Sequence, residues 1–126
     1  MSTRLSHAML FVTDLGRMAE FYGAVFELRR EDSSDDGFLF LRGGAGGDLA
    51  LHRLPPEVLG ELASPPRWRE DCAIKLCFTV ERFDDVRQLL IDRGGQAKAP
   101  WSWEGTQFCE CCDPEGNVIQ LVRARS

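Results

Sequence analysis

No stretch of this 126-residue chain approaches the ~20 consecutive apolar residues of a membrane span. The opening M-S-T-R-L-S-H lacks the apolar centre of a secretory signal, so the cytoplasm is the expected compartment. Clustered Lys and Arg are missing too. The chain has 15 basic against 20 acidic residues and a net charge of −5, which argues against a nucleic-acid partner. Nor is there a disulfide framework. Cysteines number five, an odd count, and Cys109, Cys111 and Cys112 crowd together as bridged pairs do not.

What remains is one soluble domain's worth of chain, 44% hydrophobic and 28% charged, long enough to bury a core without cross-links. Four polar residues interrupt its apolar runs at regular places. His7 sits in L-S-H-A-M-L-F-V and Lys75 in A-I-K-L-C-F-T-V; His52 lies in L-A-L-H-R-L and Gln120 in N-V-I-Q-L-V. Each member of the second half follows its counterpart by 68 residues. That spacing predicts two copies of one small unit.

The elements bear this reading. A strand over 4–12 leads into a helix capped by Thr13 or Asp14, with Leu15, Met18, Phe21, Tyr22 and Val25 at helical spacing. Strands follow near 27–32, 37–42 and 48–54, a βαβββ order. The order recurs from 73: a strand to 80, a helix striped by Phe83, Val86, Leu89 and Leu90, then strands near 97–103, 106–112 and 117–123. The fold class expected is α+β, two tandem βαβββ modules forming a curved sheet around a central cleft. Module one spans about 4–54, module two about 73–124. The Pro-rich residues 55–72 form a linker with a short helix, and the whole of 1–126 is one domain.

Period-two alternation gives each strand an inner face. Leu5, His7, Met9 and Phe11 share one side of the first strand, opposite Ala8, Leu10 and Val12. Ala73, Lys75, Cys77 and Thr79 share one side of the fifth. His7, Lys75, His52 and Gln120 are thereby expected to converge on one cleft. A lone histidine in an apolar strand ordinarily reads as a hydrogen-bonded core residue; the paired spacing favours the cleft instead.

The stretches H-A-M-L-F-V-T-D-L-G-R-M-A-E-F-Y-G-A-V-F-E-L and D-P-E-G-N-V-I-Q-L-V resemble the vicinal oxygen chelate superfamily, also called the glyoxalase, bleomycin-resistance and dioxygenase superfamily. The likeness covers nearly the whole chain. It implies that a divalent ion in metal-dependent relatives is held by His, Glu or Gln at the positions of His7, His52, Lys75 and Gln120, where it chelates two adjacent substrate oxygens or stabilises an enolate. Homodimers are also common in that superfamily.

The chain departs from the pattern at Lys75, because a protonated amine cannot ligate a metal. Two unit charges ~4 Å apart at an effective dielectric near 20 interact by about 4 kcal/mol, and a divalent ion would feel roughly twice that as repulsion. Gln120 offers only a neutral oxygen. The ligand set left to a divalent cofactor is His7, His52 and Gln120, without a carboxylate. Lys75 otherwise reads as a strand end whose ammonium reaches water, or as a cation for an anionic ligand.

Trp101 and Trp103 fall on one strand face, and with Trp68 they suggest an aromatic wall over the cleft. Packing in a core or dimer is the plainer use of the same rings. The cysteines read as small buried strand residues. Two functions follow. The first is a protein that binds a small organic ligand through His7, His52, Lys75, Gln120, Trp101 and Trp103 without a tight catalytic metal. The second is a metal-dependent lyase, isomerase or dioxygenase, for which no catalytic base is evident. A third use makes Lys75 itself an acid or base.

Overall fold

The computed structural model describes residues 3–44 and 46–125. The chain divides into two compact units, Met1–Glu61 and Leu62–Ser126.

In the first unit, strand β1 (His7–Val12) runs into helix α1 (Leu15–Phe26). Asp14 is the cap: its carboxylate accepts from the Arg17 N–H at 3.1 Å. Leu15, Met18, Ala19, Phe21, Tyr22 and Val25 form the buried stripe of α1, which ends at Glu27 in the left-handed region, φ 56°. Strands β2 (Arg29–Asp32), β3 (Phe38–Arg42) and β4 (Asp48–Arg53) follow. The sheet order is β1-β4-β3-β2, with β1 and β4 parallel and the other pairs antiparallel. Val12, Leu39, Leu41, Leu49 and Leu51 are buried on the side α1 covers. The alternate residues face away: Met9 and Phe11 are 44% and 45% exposed. After β4 comes the expected short linker helix, α2 (Pro56–Leu59), with proline in its first turn.

The second unit repeats the order. Strand β5 (Leu76–Val80) leads to helix α3 (Phe83–Asp92), which buries Phe83 and Leu90. Strands β8 (Thr106–Cys112) and β9 (Val118–Arg123) complete a sheet of order β5-β9-β8-β6, again with its first and last strands parallel. The expected strand at 97–103 is broken into β6 (Gln96–Ala97) and β7 (Trp101–Trp103), both paired to β8. Pro100 accounts for the break, since it has no N–H for the ladder. The strand expected from 73 likewise begins only at Leu76, so Lys75 immediately precedes β5.

The linker is not a loose tether. Arg69 N–H donates to the Gly116 carbonyl at 2.8 Å, and Arg69 Nε donates to the Glu115 carbonyl at 3.1 Å. The turn they grip, Asp113–Asn117, is organised by the buried Asp113. Its carboxylate accepts from the Glu115 and Asn117 amides at 2.9 and 3.0 Å and from Asn117 Nδ2 at 2.9 Å. Gly116 has φ 87°, and a Cβ there would collide with the Arg67 carbonyl. Only glycine satisfies both conditions.

Candidate functional site

Each unit presents one open sheet face, and each carries two of the four polar residues. In the first unit the register sets His7 opposite Asp48, Met9 and Phe40 opposite Ala50, and Phe11 and Phe38 opposite His52. The rings form a file. His7 meets Phe40 edge-on at 5.2 Å, Phe40 meets Phe38 at 5.1 Å, and Phe38 meets His52 at 5.9 Å, with Phe11 at 5.8 Å on the other side of His52. At the His7 end, the Arg42 guanidinium lies 4.1 Å over the Phe40 ring and pairs with Glu31 and Asp48. The Gly43 N–H and Arg42 hold the Asp48 carboxyl below the usual carboxylate range, while Glu31 and then Asp48 raise the Arg42 pKa. Ser6 Oγ lies 2.9 Å from His7 Nδ1.

Of the expected ligand set His7, His52 and Gln120, the first unit carries the two histidines. His52 lies four residues along β4 from the register partner of His7, roughly 13 Å of strand at ~3.3 Å per residue. The phenyl rings of Phe40 and Phe38 fill the interval. A metal–imidazole bond spans only ~2.0–2.1 Å, so the two histidines do not close on one ion. Within either unit, among the described residues, no three His, Cys, Asp or Glu side chains form a metal-binding group.

In the second unit Lys75 and Gln120 do come together, around a residue the sequence reading left unassigned. Lys75 Nζ donates to Glu110 Oε1 at 2.7 Å, with the two side chains 41% and 25% exposed. Glu110 is the register partner of Gln120, and Gln120 is the partner of Cys77. The Cys77 thiol donates to Gln120 Oε1 at 3.4 Å. Lys75 is therefore an ion-paired, partly exposed amine. Glu110 was visible in principle: period two on β8 sets it opposite Cys109 and Cys111, on the face of Gln120.

The equal 68-residue spacing does not mean equal sheet positions. Phe11 pairs with His52, whereas Cys77 pairs with Gln120. With His52 and Gln120 matched, Lys75 takes the place of Met9 rather than of His7. The two parallel registers differ by two residues, a shift that leaves every side chain on its original face. Face assignment survives the shift; equivalence of His7 and Lys75 does not.

The same face continues into β7. Trp101 stacks on Phe108 with ring centres 4.6 Å apart and 22° between planes, and Trp103 is the register partner of Thr106. Trp68 has a different place. Its indole N–H donates to Gln96 Oε1 at 2.9 Å and its ring lies under Lys98, whose pKa the Glu70 hydrogen bond raises. The cysteines of β8 are buried and free, with Cys109 and Cys111 in thiol–thiol contact at 3.7 Å. Burial pushes the Cys111 thiol up and the Cys112 thiol up to about 11.

Two βαβββ units of corresponding strand order, the second with one strand divided into β6 and β7, each with a helix on one face and an open polar–aromatic face opposite, define an α+β protein of tandem modules. Residues 4–121 match the model of the Glyoxalase/Bleomycin resistance protein/Dioxygenase superfamily, and the chain belongs to that superfamily. Solved structures of similar fold include the fosfomycin resistance protein FosX from Mesorhizobium loti. It shares 20% identity at TM-score 0.72, over 99% of this chain and 95% of that one. A glyoxalase/bleomycin resistance protein/dioxygenase family enzyme from Burkholderia phytofirmans shares 21%, at 0.74, over 95% and 98%. FosX from Listeria monocytogenes shares 17%, at 0.74, over 99% and 96%; a mutant of it was solved with Mn(II) and 1S,2S-dihydroxypropylphosphonic acid. No curated protein sequence matches significantly.

Proposed function

We propose that the chain acts as a single domain that binds a small organic molecule through its open sheet faces, without a tight catalytic metal. His7, His52, Lys75, Gln120, Trp101 and Trp103 are the binding residues in this reading. The Lys75–Glu110 pair carries it. An ammonium 2.7 Å from the Glu110 carboxylate, beside the neutral Gln120, engages that acid and repels a dication. The rings of Phe11, Phe38, Phe40, Trp101 and Trp103 supply apolar surface for an organic ligand, and His7, His52 and Gln120 supply orienting hydrogen bonds. A homodimer in the cytoplasm is part of the same proposal; among the described residues, no helix is long and apolar enough to cross a membrane.

The second reading, a metal-dependent lyase, isomerase or dioxygenase, is favoured by the Mn(II)-containing FosX complex. The residues here do not fit it: Lys75 would have to leave Glu110, and His7 and His52 would not share the ion. A thermal-shift screen of small organic molecules on chelator-treated protein separates the two. Stabilising compounds that act without added metal support the binding reading. Compounds that act only after Mn(II) is restored support the enzyme.

A further inference from the structure

We infer that the second unit carries a self-contained subsite for a flat aromatic molecule bearing a single negative charge, at the end of the sheet remote from Lys75. It draws on that unit alone and stands whether or not the reading above does. A groove of about 360 Å³ opens there, at the small end of the ~300–1,000 Å³ usual for ligand pockets. Phe108 and Val122, on neighbouring strands and in register, line it together with Trp103, Thr106, Glu104 and Arg125. Trp101 stacks on Phe108 and holds that ring in place, whereas the Trp103 indole is 61% exposed. An apolar surface of this size, left open beside a fixed phenyl ring, suits a third ring between them.

The charges set the ligand's sign. Arg125 donates to Thr106 Oγ1 at 2.8 Å, a neutral partner, and among the described residues no carboxylate pairs with it. Arg123, which also lines the groove, is instead paired with Asp84 at 3.5 Å and donates to Gln107 at 2.9 Å. The planar guanidinium keeps donors free for a bidentate contact with a carboxylate. Glu104 also borders the groove and repels a second negative charge. An aromatic monocarboxylate therefore fits better than a phosphate dianion or an aromatic amine.

The test is an amide NMR titration of the full chain with 1-naphthoate, 1-naphthylmethylammonium and inorganic phosphate. Saturable shifts at Thr79, Thr106 and Val122 with 1-naphthoate, and far weaker ones with the other two, are expected. Arg125→Gln, a surface change, weakens 1-naphthoate by about tenfold, and Trp103→Ala weakens it at least as much, while Lys98→Gln, whose amine pairs with Glu70 outside the groove, leaves it unchanged. Equal affinity in wild type, Arg125→Gln and Trp103→Ala would overturn the subsite. So would failure to saturate at millimolar 1-naphthoate, equal binding of the ammonium, or a Trp103 already covered by a second copy of the chain in sedimentation and NMR dilution series.

Discussion

Single side chains in the second unit make the sharpest physical statements. Cys111 and Cys112 are buried thiols whose pKa burial raises, Cys112 to about 11 from an ordinary 9.0. A raised folded-state pKa means the unfolded chain ionises first. The stability contribution is thus full below pH 9.0 and is lost as pH climbs toward the folded value. Urea midpoints should fall between pH 8 and 10 in wild type and fall less steeply in Cys112→Ala; an unchanged slope would show that this thiol does not titrate on unfolding. Two neighbours test the Asp113–Asn117 turn. Asp113→Ala removes three hydrogen bonds from a buried carboxylate and should cost about 3 kcal/mol. Gly116→Ala forces a Cβ into the Arg67 carbonyl at positive φ and should cost more than 1 kcal/mol. Both are read from denaturant unfolding, and a wild-type midpoint in Gly116→Ala would show that the linker is not seated on the turn.

Among the elements, those written in short-range patterns were the ones legible in the sequence. The α1 stripe, the Asp14 cap and the alternation on β1 and β5 follow from neighbours within a few residues of one another. Three features were not legible. The division of residues 97–103 into β6 and β7 depends on Pro100 in a strand that is otherwise well patterned. The two-residue difference in parallel register depends on everything between β1 and β4 and between β5 and β9, and it leaves no trace in hydrophobic parity. The Lys75–Glu110 pair joins residues 35 apart in sequence and becomes visible only once that register is known. Helix termini offer a check on the local reading. Glu27 closes α1 at φ 56°, where glycine is favoured, so Glu27→Gly should raise stability by about 0.5–1 kcal/mol. Thermal or chemical unfolding that shows a loss instead would mean that the Glu27 side chain contributes more than its backbone conformation costs.

At the scale of the whole molecule, the tandem repeat and the superfamily were evident from the first and last motifs, and the family match over residues 4–121 agrees. The expected convergence of the four polar residues was only half legible. Gln120 and Lys75 share a cluster, as period two predicts, and Glu110 completes it. His7 and His52 share a face but stand at opposite ends of a file of aromatic rings. The polar strand residues therefore keep one face of each sheet, with the Lys75–Glu110 ion pair beside Gln120. Metal analysis of protein purified without a histidine tag, made in parallel on wild type and Lys75→Glu, tests the proposed metal-free reading most directly. Wild type should hold far less than one divalent ion per chain, with uptake only in the variant that removes the ammonium and adds a carboxylate beside Glu110. One tightly held ion per wild-type chain would contradict it.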